Sequence, residues 1–171
     1  MTKNTGYGAR ESLGYLLNRT ADIVATAVSE VLREHAISLL EWRVITVLTD
    51  NDMQSLSELA AHAGCELSYI SRVVSLAEEQ GYVTRFASAD DRRSTKVSIT
   101  EPGRAFVRSI TPQMKALEDQ WLQGISAADA EVLRRALPKL YANVLTLHTV
   151  DSSGRKLKVA ARVKQRAQRG R

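Results

Sequence analysis

The chain has 171 residues, 44% hydrophobic and 25% charged, an ordinary globular balance, long enough to bury a core and simplest to read as one domain. It holds no apolar run of about 18 residues, and its opening stretch, MTKNTGYGARESLGYLL, lacks the apolar centre of a secretory signal, so neither a membrane span nor export is expected. The formal charge of +5 belongs to the end: residues 155–171 carry eight of the 24 Lys and Arg and no acid, leaving 16 basic against 19 acidic residues before them.

In chain order, apolar positions at Leu13, Leu16, Leu17, Ile23, Val24, Ala27, Val28, Val31 and Leu32 predict a long first helix over 9–34. A serine three residues ahead of an acid can cap a helix start reciprocally, and the pattern occurs at Ser38-Glu41, Ser55-Glu58 and Ser126-Asp129. It places a second helix over 39–50 and, after the polar break Asn51-Asp52, a short third helix over 56–63 stopped by Gly64. A fourth follows over 67–80, with Gly81 just past its end. Residues 82–86 and 96–99 read as two strands around SADDRRS. Thr100 caps a helix to about 122 that tolerates Pro102 in its first turn and is expected to kink at Pro112. A last helix runs from Ser126 to about 148, with Pro138 as a second possible kink.

The third and fourth helices followed by a hairpin make a winged helix-turn-helix, in which the second helix of the pair enters the major groove of DNA. At 100° per residue Ile70, Val73, Val74 and Ala77 share one face of the fourth helix; Ser68, Arg72, Ser75 and Glu79 lie opposite, with Tyr69 and Ser71 on the flanks. Arg72 suits guanine O6/N7 or a phosphate, Ser68 and Ser71 can donate to either, and Tyr69 can touch a phosphate or a thymine methyl. An amphipathic surface helix with a serine-rich solvent side has the same pattern. The hairpin tip adds weight, because an extended arginine on a loop fits the narrow minor groove while a carboxylate holds the other guanidinium, leaving Lys96 for a backbone phosphate. A solvated turn with incidental charges is the alternative.

The outer helices carry more apolar face than the central unit can cover. Leu133, Leu137, Leu140, Val144 and Leu147 form a stripe at three- and four-residue steps. A homodimer built from the two ends of the chain is expected, against packing within one chain.

LSELAAHAGCELSYISRVVSLAEEQGYVTR and DDRRSTKVSITEPGR resemble the MarR family of bacterial transcription regulators. The family's wing pattern appears as Asp91-Arg92-Arg93, Val97-Ser98-Ile99-Thr100 and Gly103, with Ile99 in the usual leucine place, and LLEWRVITVL at 39–48 is similar to the family's second helix. The likeness spans about residues 10–150. It implies a mainly α fold, a winged helix-turn-helix over 37–100 whose flanking long helices, 1–36 and 101–150, form a dimerisation domain, with a flexible basic tail over 151–171. It also implies that Arg93 is the minor-groove residue and Asp91 the brace, although Arg92 can exchange roles with its neighbour. Glu66 departs from the usual Ser or Thr cap, and Leu67 places an apolar group where polar ones are common, which suits a thymine methyl. The tail lies beyond the family's usual end; it either adds salt-sensitive DNA affinity or is simply disordered.

Cys65, the single cysteine, can form no internal disulfide and fits a reducing cytoplasm; packing in the turn is favoured over the oxidant sensing known from some family members, whose cysteine usually lies in the first helix. His35, His62 and His148 share no metal-ligand spacing, and neither a Gly-rich phosphate loop nor G-x-S-x-G occurs, so no metal, cofactor or enzyme activity is expected. The resemblance implies a small effector, of the aromatic-acid kind, bound where the dimer helices meet the winged domain. Tyr15, Asn18, Arg19, Trp42 and Arg43 offer the aromatic faces, amide and cations for a carboxylate, though Trp42 also suits the core and the arginines also suit salt bridges. The reading is a DNA-binding regulator, a repressor by expectation, that binds a pseudo-palindromic operator as a homodimer. A sequence-indifferent architectural protein relying on the tail, and a winged helix used only for protein contact, remain the rivals.

Overall fold

The computed structural model describes Gly8 and residues 10–87, 95–146, 148–150 and 156–158. Asp91, Arg92, Arg93, Leu147 and most of the basic tail lie outside these. The chain divides into two compact units, Met1–Leu39 and Leu40–Arg171.

The first unit holds helix α1, Leu13–Arg33. It begins later than the apolar pattern predicts, because Ser12 is the cap: its Oγ accepts from the Tyr15 N–H at 3.2 Å, and a turn closed by Glu11 N–H and Gly8 O precedes it.

The second unit follows the predicted order with one addition. Helix α2 spans Leu39–Asp50, strand β1 Gln54–Ser55, α3 Leu56–Ala63 and α4 Leu67–Glu79; strands β2 (Val83–Ala87) and β3 (Thr95–Ile99) form the wing, and α5 (Glu101–Trp121) and α6 (Ala127–Thr146) complete the helices. The sheet is antiparallel in the order β1-β3-β2, with Ser55 opposite Lys96 and Arg85 opposite Val97. At two residues, β1 is too short to show an alternating pattern in sequence.

The Ser55 cap is the full reciprocal box: Glu58 N–H donates to Ser55 Oγ at 3.2 Å, and Ser55 N–H to Glu58 Oε2 at 2.7 Å. Gly64, at φ 66°, ends α3 in a left-handed conformation that a side chain would resist. The core gathers Val44, Ile45 and Leu48 of α2, Leu59 of α3, the apolar face of α4, then Val83, Val97, Ile99 and Ile110, all buried. Each such side chain contributes about 1.5–3 kcal/mol through water it no longer orders.

At the end of the chain the last helix stops at Thr146, and His148–Val150 (β4) pairs antiparallel with Lys156–Lys158 (β5), three residues that fall within the basic tail. Thr149 and Val150, β-branched, favour extended backbone there. Pro112 lies inside α5 and Pro138 inside α6, each within a continuous helix.

Candidate nucleic-acid interface

Helix α4 is held by its buried face: Ile70, Val74 and Ala77 are fully covered and Val73 nearly so. The opposite side presents Leu67, Ser68, Tyr69 and Arg72 to solvent, with Ser71 half-buried. Leu67 and Tyr69 are about half exposed, at 51% and 48%, large apolar groups that water disfavours and that a base edge or sugar could cover. Glu66 occupies the N-cap and makes no side-chain capping bond, as its residue type suggests. Ser75 is half-buried rather than on the outward face: its hydroxyl donates to Ser71 O at 3.1 Å and accepts from Arg85 Nη2 at 3.0 Å.

Arg85 is the residue that sequence reasoning passed over. Its Nη1 donates to Glu78 Oε2 at 2.6 Å, its Nη2 also reaches Ser71 O at 2.8 Å, and its backbone N–H donates to Glu78 Oε1 at 3.0 Å. A signal existed. Arg85 stands two residues after buried Val83, on the core-facing side of the strand, where a cation requires partners.

Asp52, read as part of a polar break, is instead a junction. Its carboxylate accepts from Met53 N–H, Ile99 N–H and Ser98 Oγ, each at 2.9 Å, and from Arg104 Nη2 at 3.2 Å. Partial burial works against its ionisation, but the Ile99 and Met53 N–H groups, Ser98 and Arg104 outweigh it and hold the pKa below the ordinary value. The loop after α2, the wing strand β3 and the start of α5 are thereby tied at one point.

Lys96 was expected to stand ready for a phosphate. In the structure its ammonium lies 3.2 Å from Glu58 Oε2. The same carboxyl is drawn down to about 2, chiefly by the Ser55 N–H and hydroxyl and then by Lys96. Asp91, Arg92 and Arg93 fall outside the described residues, so the wing is defined by its strands and not by its tip.

The effector candidates divide between the two units. Tyr15, Asn18 and Arg19 are exposed on α1; Trp42 and Arg43 are on α2. Trp42 meets Phe106 edge-on at 6.3 Å, and Phe106 stacks on Tyr82 at 4.6 Å, so the indole belongs to an aromatic row joining α2, α5 and the turn before β2. Arg43 lines a separate cleft of about 110 Å³ with Thr46, Val47, Leu59, His62 and Ala63, small beside the roughly 300–1,000 Å³ of typical ligand pockets.

Cys65 is buried, and burial followed by the charge of Glu66 pushes its thiol up, which makes it a poorer nucleophile and fits the packing role. Among the described residues no three His, Cys, Asp or Glu come together as a metal site, and no helix is long and apolar enough to cross a membrane.

Comparison with known proteins agrees with this geometry. The model of the MarR family matches residues 37–95. The HTH-type transcriptional repressor IacR of Pseudomonas putida is 29% identical over 133 residues, covering 78% of this chain and 80% of its own. An HTH-type transcriptional repressor of Mycobacterium tuberculosis is 30% identical over 128 residues, 75% of this chain and 92% of its own. A MarR-family regulator from Silicibacter pomeroyi superposes with a TM-score of 0.72 at 26% identity, over 83% of this chain and 96% of that one. CouR from Rhodococcus jostii bound to p-coumaroyl-CoA (TM-score 0.70, 22% identity, 78% and 94% covered) shares the fold. So does NadR in complex with 4-hydroxyphenylacetate (0.69, 19%, 82% and 97%). With its helix-turn-helix, its two-stranded wing and these relatives, the chain belongs to the MarR family of winged helix-turn-helix transcription regulators.

Proposed function

We propose that this regulator is a homodimeric repressor that binds a pseudo-palindromic operator and is released by a small effector of the aromatic-acid class. The observation that carries the DNA reading is the division of α4 into a buried apolar face and an exposed face of Leu67, Ser68, Tyr69 and Arg72. Arg72 takes a guanine edge or a phosphate, Ser68 and Ser71 donate beside it, Tyr69 meets the backbone, and Leu67 covers a thymine methyl. Arg93 enters the minor groove with Asp91 as its brace and Arg92 beside it, and Lys96 exchanges Glu58 for a phosphate. IacR and the Mycobacterium tuberculosis relative are both named repressors, which supports the sign of regulation.

Dimerisation is supported by apolar surface on α6: Leu133, Leu137 and Val144 are each 40% or more exposed in the single chain. A second copy covering that face would set half-site centres about 10 base pairs apart. The effector class is supported by the aromatic ligands of CouR and NadR. Tyr15, Asn18, Arg19, Trp42 and Arg43 are the residues proposed to meet it. A role in the cytoplasm, without catalysis, goes with that reading.

The test is selection from a random duplex pool by the purified protein at near-physiological salt. Enrichment of an inverted repeat, lost on adding an aromatic acid, is the expected result. Binding without enrichment would replace this reading with the architectural one, and no binding would remove the function while leaving the fold.

A further inference from the structure

The two elements that touch DNA in this fold are a helix and a hairpin, and here they are joined by one guanidinium. Arg85 lies on β2 opposite fully buried Val97, and its acceptors Ser71, Ser75 and Glu78 fall at successive steps of four and three residues, one stripe of α4. The contacts are short and varied: the Ser71 carbonyl at 2.8 Å, the Ser75 hydroxyl at 3.0 Å and the Glu78 carboxylate at 2.6 Å. Glu78 also takes the backbone N–H of Arg85, so the strand itself, and not only its side chain, is fastened to the helix. The Arg85 side chain is 25% exposed, which weakens competition from water without removing the cost of leaving any donor unmade.

We infer that Arg85 is a positioning residue that sets the register of α4 against the wing, so that base selection by Ser68 and Arg72 depends on a residue that need not touch a base. The inference rests on the DNA-reading function proposed above. Its physical basis is the angular tolerance of base readout. A bidentate guanidinium-to-guanine contact survives only small displacement, whereas a phosphate contact from a flexible cation tolerates much more. The stripe Ser71-Ser75-Glu78 adjoins Arg72 and lies one turn beyond Ser68, so a rotation of α4 about its axis moves both reading side chains together. Apolar packing of Ile70 and Val74 fixes which face of α4 turns inward but, being non-directional, defines small rotations about the axis less sharply. The guanidinium fork, with acceptors along two turns, supplies that direction. A lysine ammonium has three donors but they radiate from one freely rotating nitrogen, so it lacks the fork's fixed directions.

Arg85→Lys and Ser75→Ala are the variants to compare with wild type, because alanine favours the helix and lysine keeps the charge. Thermal unfolding establishes that each is folded. Affinity is then measured for the enriched operator, for the same operator with the base pairs under α4 exchanged, and for a scrambled duplex, across several salt concentrations. In Arg85→Lys the preference for the operator over its exchanged form falls by about tenfold, the scale of one lost bidentate contact, while scrambled-duplex affinity and the salt slope stay as in wild type. Ser75→Ala shows a smaller fall in the same direction. A purely stabilising role would lower the unfolding temperature and leave the preference intact, which would overturn the inference; so would an equal loss on all three duplexes. If wild type itself shows no preference, the DNA-reading function fails, and the inference with it. If wild type discriminates and the folded variants still do, only the inference fails.

Discussion

Gly103→Ala is the sharpest test of how α5 is seated on the winged domain. Gly103 is buried in the first turn of α5, and a Cβ placed there would overlap the Tyr82 carbonyl oxygen, lie 2.9 Å from Ile99 Cγ1 and 3.0 Å from the Tyr82 carbonyl carbon. That carbonyl cannot simply retreat. It accepts the Thr100 N–H at 3.0 Å, while Thr100 Oγ1 donates to the preceding carbonyl, of Gly81, at 2.6 Å. Relief must therefore come from moving α5 off the turn, at about 1–3 kcal/mol for overpacking. Straining the Thr100 bond adds up to about 1 kcal/mol. Replacing a helical glycine returns about 0.5–1 kcal/mol, which leaves a net loss of about 2 kcal/mol. For a chain of this size that lowers Tm by about 4–8 °C. Thermal unfolding followed by circular dichroism reads it, with Gly14→Ala as the control, since nothing lies within 4 Å of a Cβ at Gly14 in α1. The control is expected to gain what the propensity term alone predicts. If both variants gained stability alike, the close approach of Gly103 to Tyr82 would be refuted.

Met53 holds a positive φ of 56° although it is not glycine, so Met53→Gly relieves about 1–2 kcal/mol of left-handed strain against a smaller entropic loss; a urea midpoint that falls would count against it. Glu58, ordinarily near 4.5, is lowered to about 2, so its contribution to stability is complete above its unfolded value and is lost as pH falls through the folded one. Urea midpoints of wild type and Glu58→Gln should therefore converge as pH is taken down through that window, and a pH-independent gap would contradict the linkage. The same variant keeps an acceptor for the Ser55 N–H but releases Lys96, so its affinity for any duplex should rise. Arg72→Ala relaxes sequence preference, whereas Lys96→Ala weakens binding to all sequences and flattens the salt slope by about 1; identical losses from both in a filter or anisotropy titration would mean that α4 reads no bases. Deleting residues 155–171, which hold eight cations, removes up to about 7 per chain from the salt slope if all of them meet phosphates. Complete loss of binding would make the tail the principal DNA contact.

The fold was legible where local chemistry decides it. The Ser55-Glu58 box forms as read, and at Ser126 the backbone half of the cap forms as well, while Asp129 Oδ2 takes the Ser126 hydroxyl at 2.6 Å instead of reaching the backbone. The inward face of α4 was recoverable from periodicity alone, because four apolar residues at helical spacing have one way to leave water. What escaped depends on partners distant in sequence. Asp52 reaches Ser98, Ile99 and Arg104 across 46 to 52 positions, and nothing near it announces that. Gly103 was visible as a motif glycine, but its reason, the carbonyl of Tyr82, exists only once β2 has paired with β3. Ser75 was placed on the outer face by angle and turned aside by Arg85, a tertiary override of a correct helical phase.

The same tertiary pairs explain how a body with more acids than bases can approach DNA. Before the tail the chain holds 19 acids against 16 bases, and a uniform spread would repel phosphate. In the second unit, however, Asp52 is held by Arg104, Glu58 by Lys96, Glu78 by Arg85, Glu101 by Arg108 and Glu118 by Arg134. The exposed ones among these, Glu101 with Arg108 and Glu118 with Arg134, contribute little to stability, about 0–1 kcal/mol each. The larger effect of the pairs is on the field, because a paired carboxylate presents a dipole whose potential falls off faster than that of a charge. On the outward side of α4 Arg72 stands exposed in the N-terminal half beside two serines and a tyrosine, while exposed Glu79 lies about two turns away at the other end, so local attraction survives an unfavourable total. If α4 reads bases as proposed, a surface organised in this way would bind weakly through its sum and selectively through its few unmasked groups, the balance a sequence reader needs to leave nonspecific DNA readily.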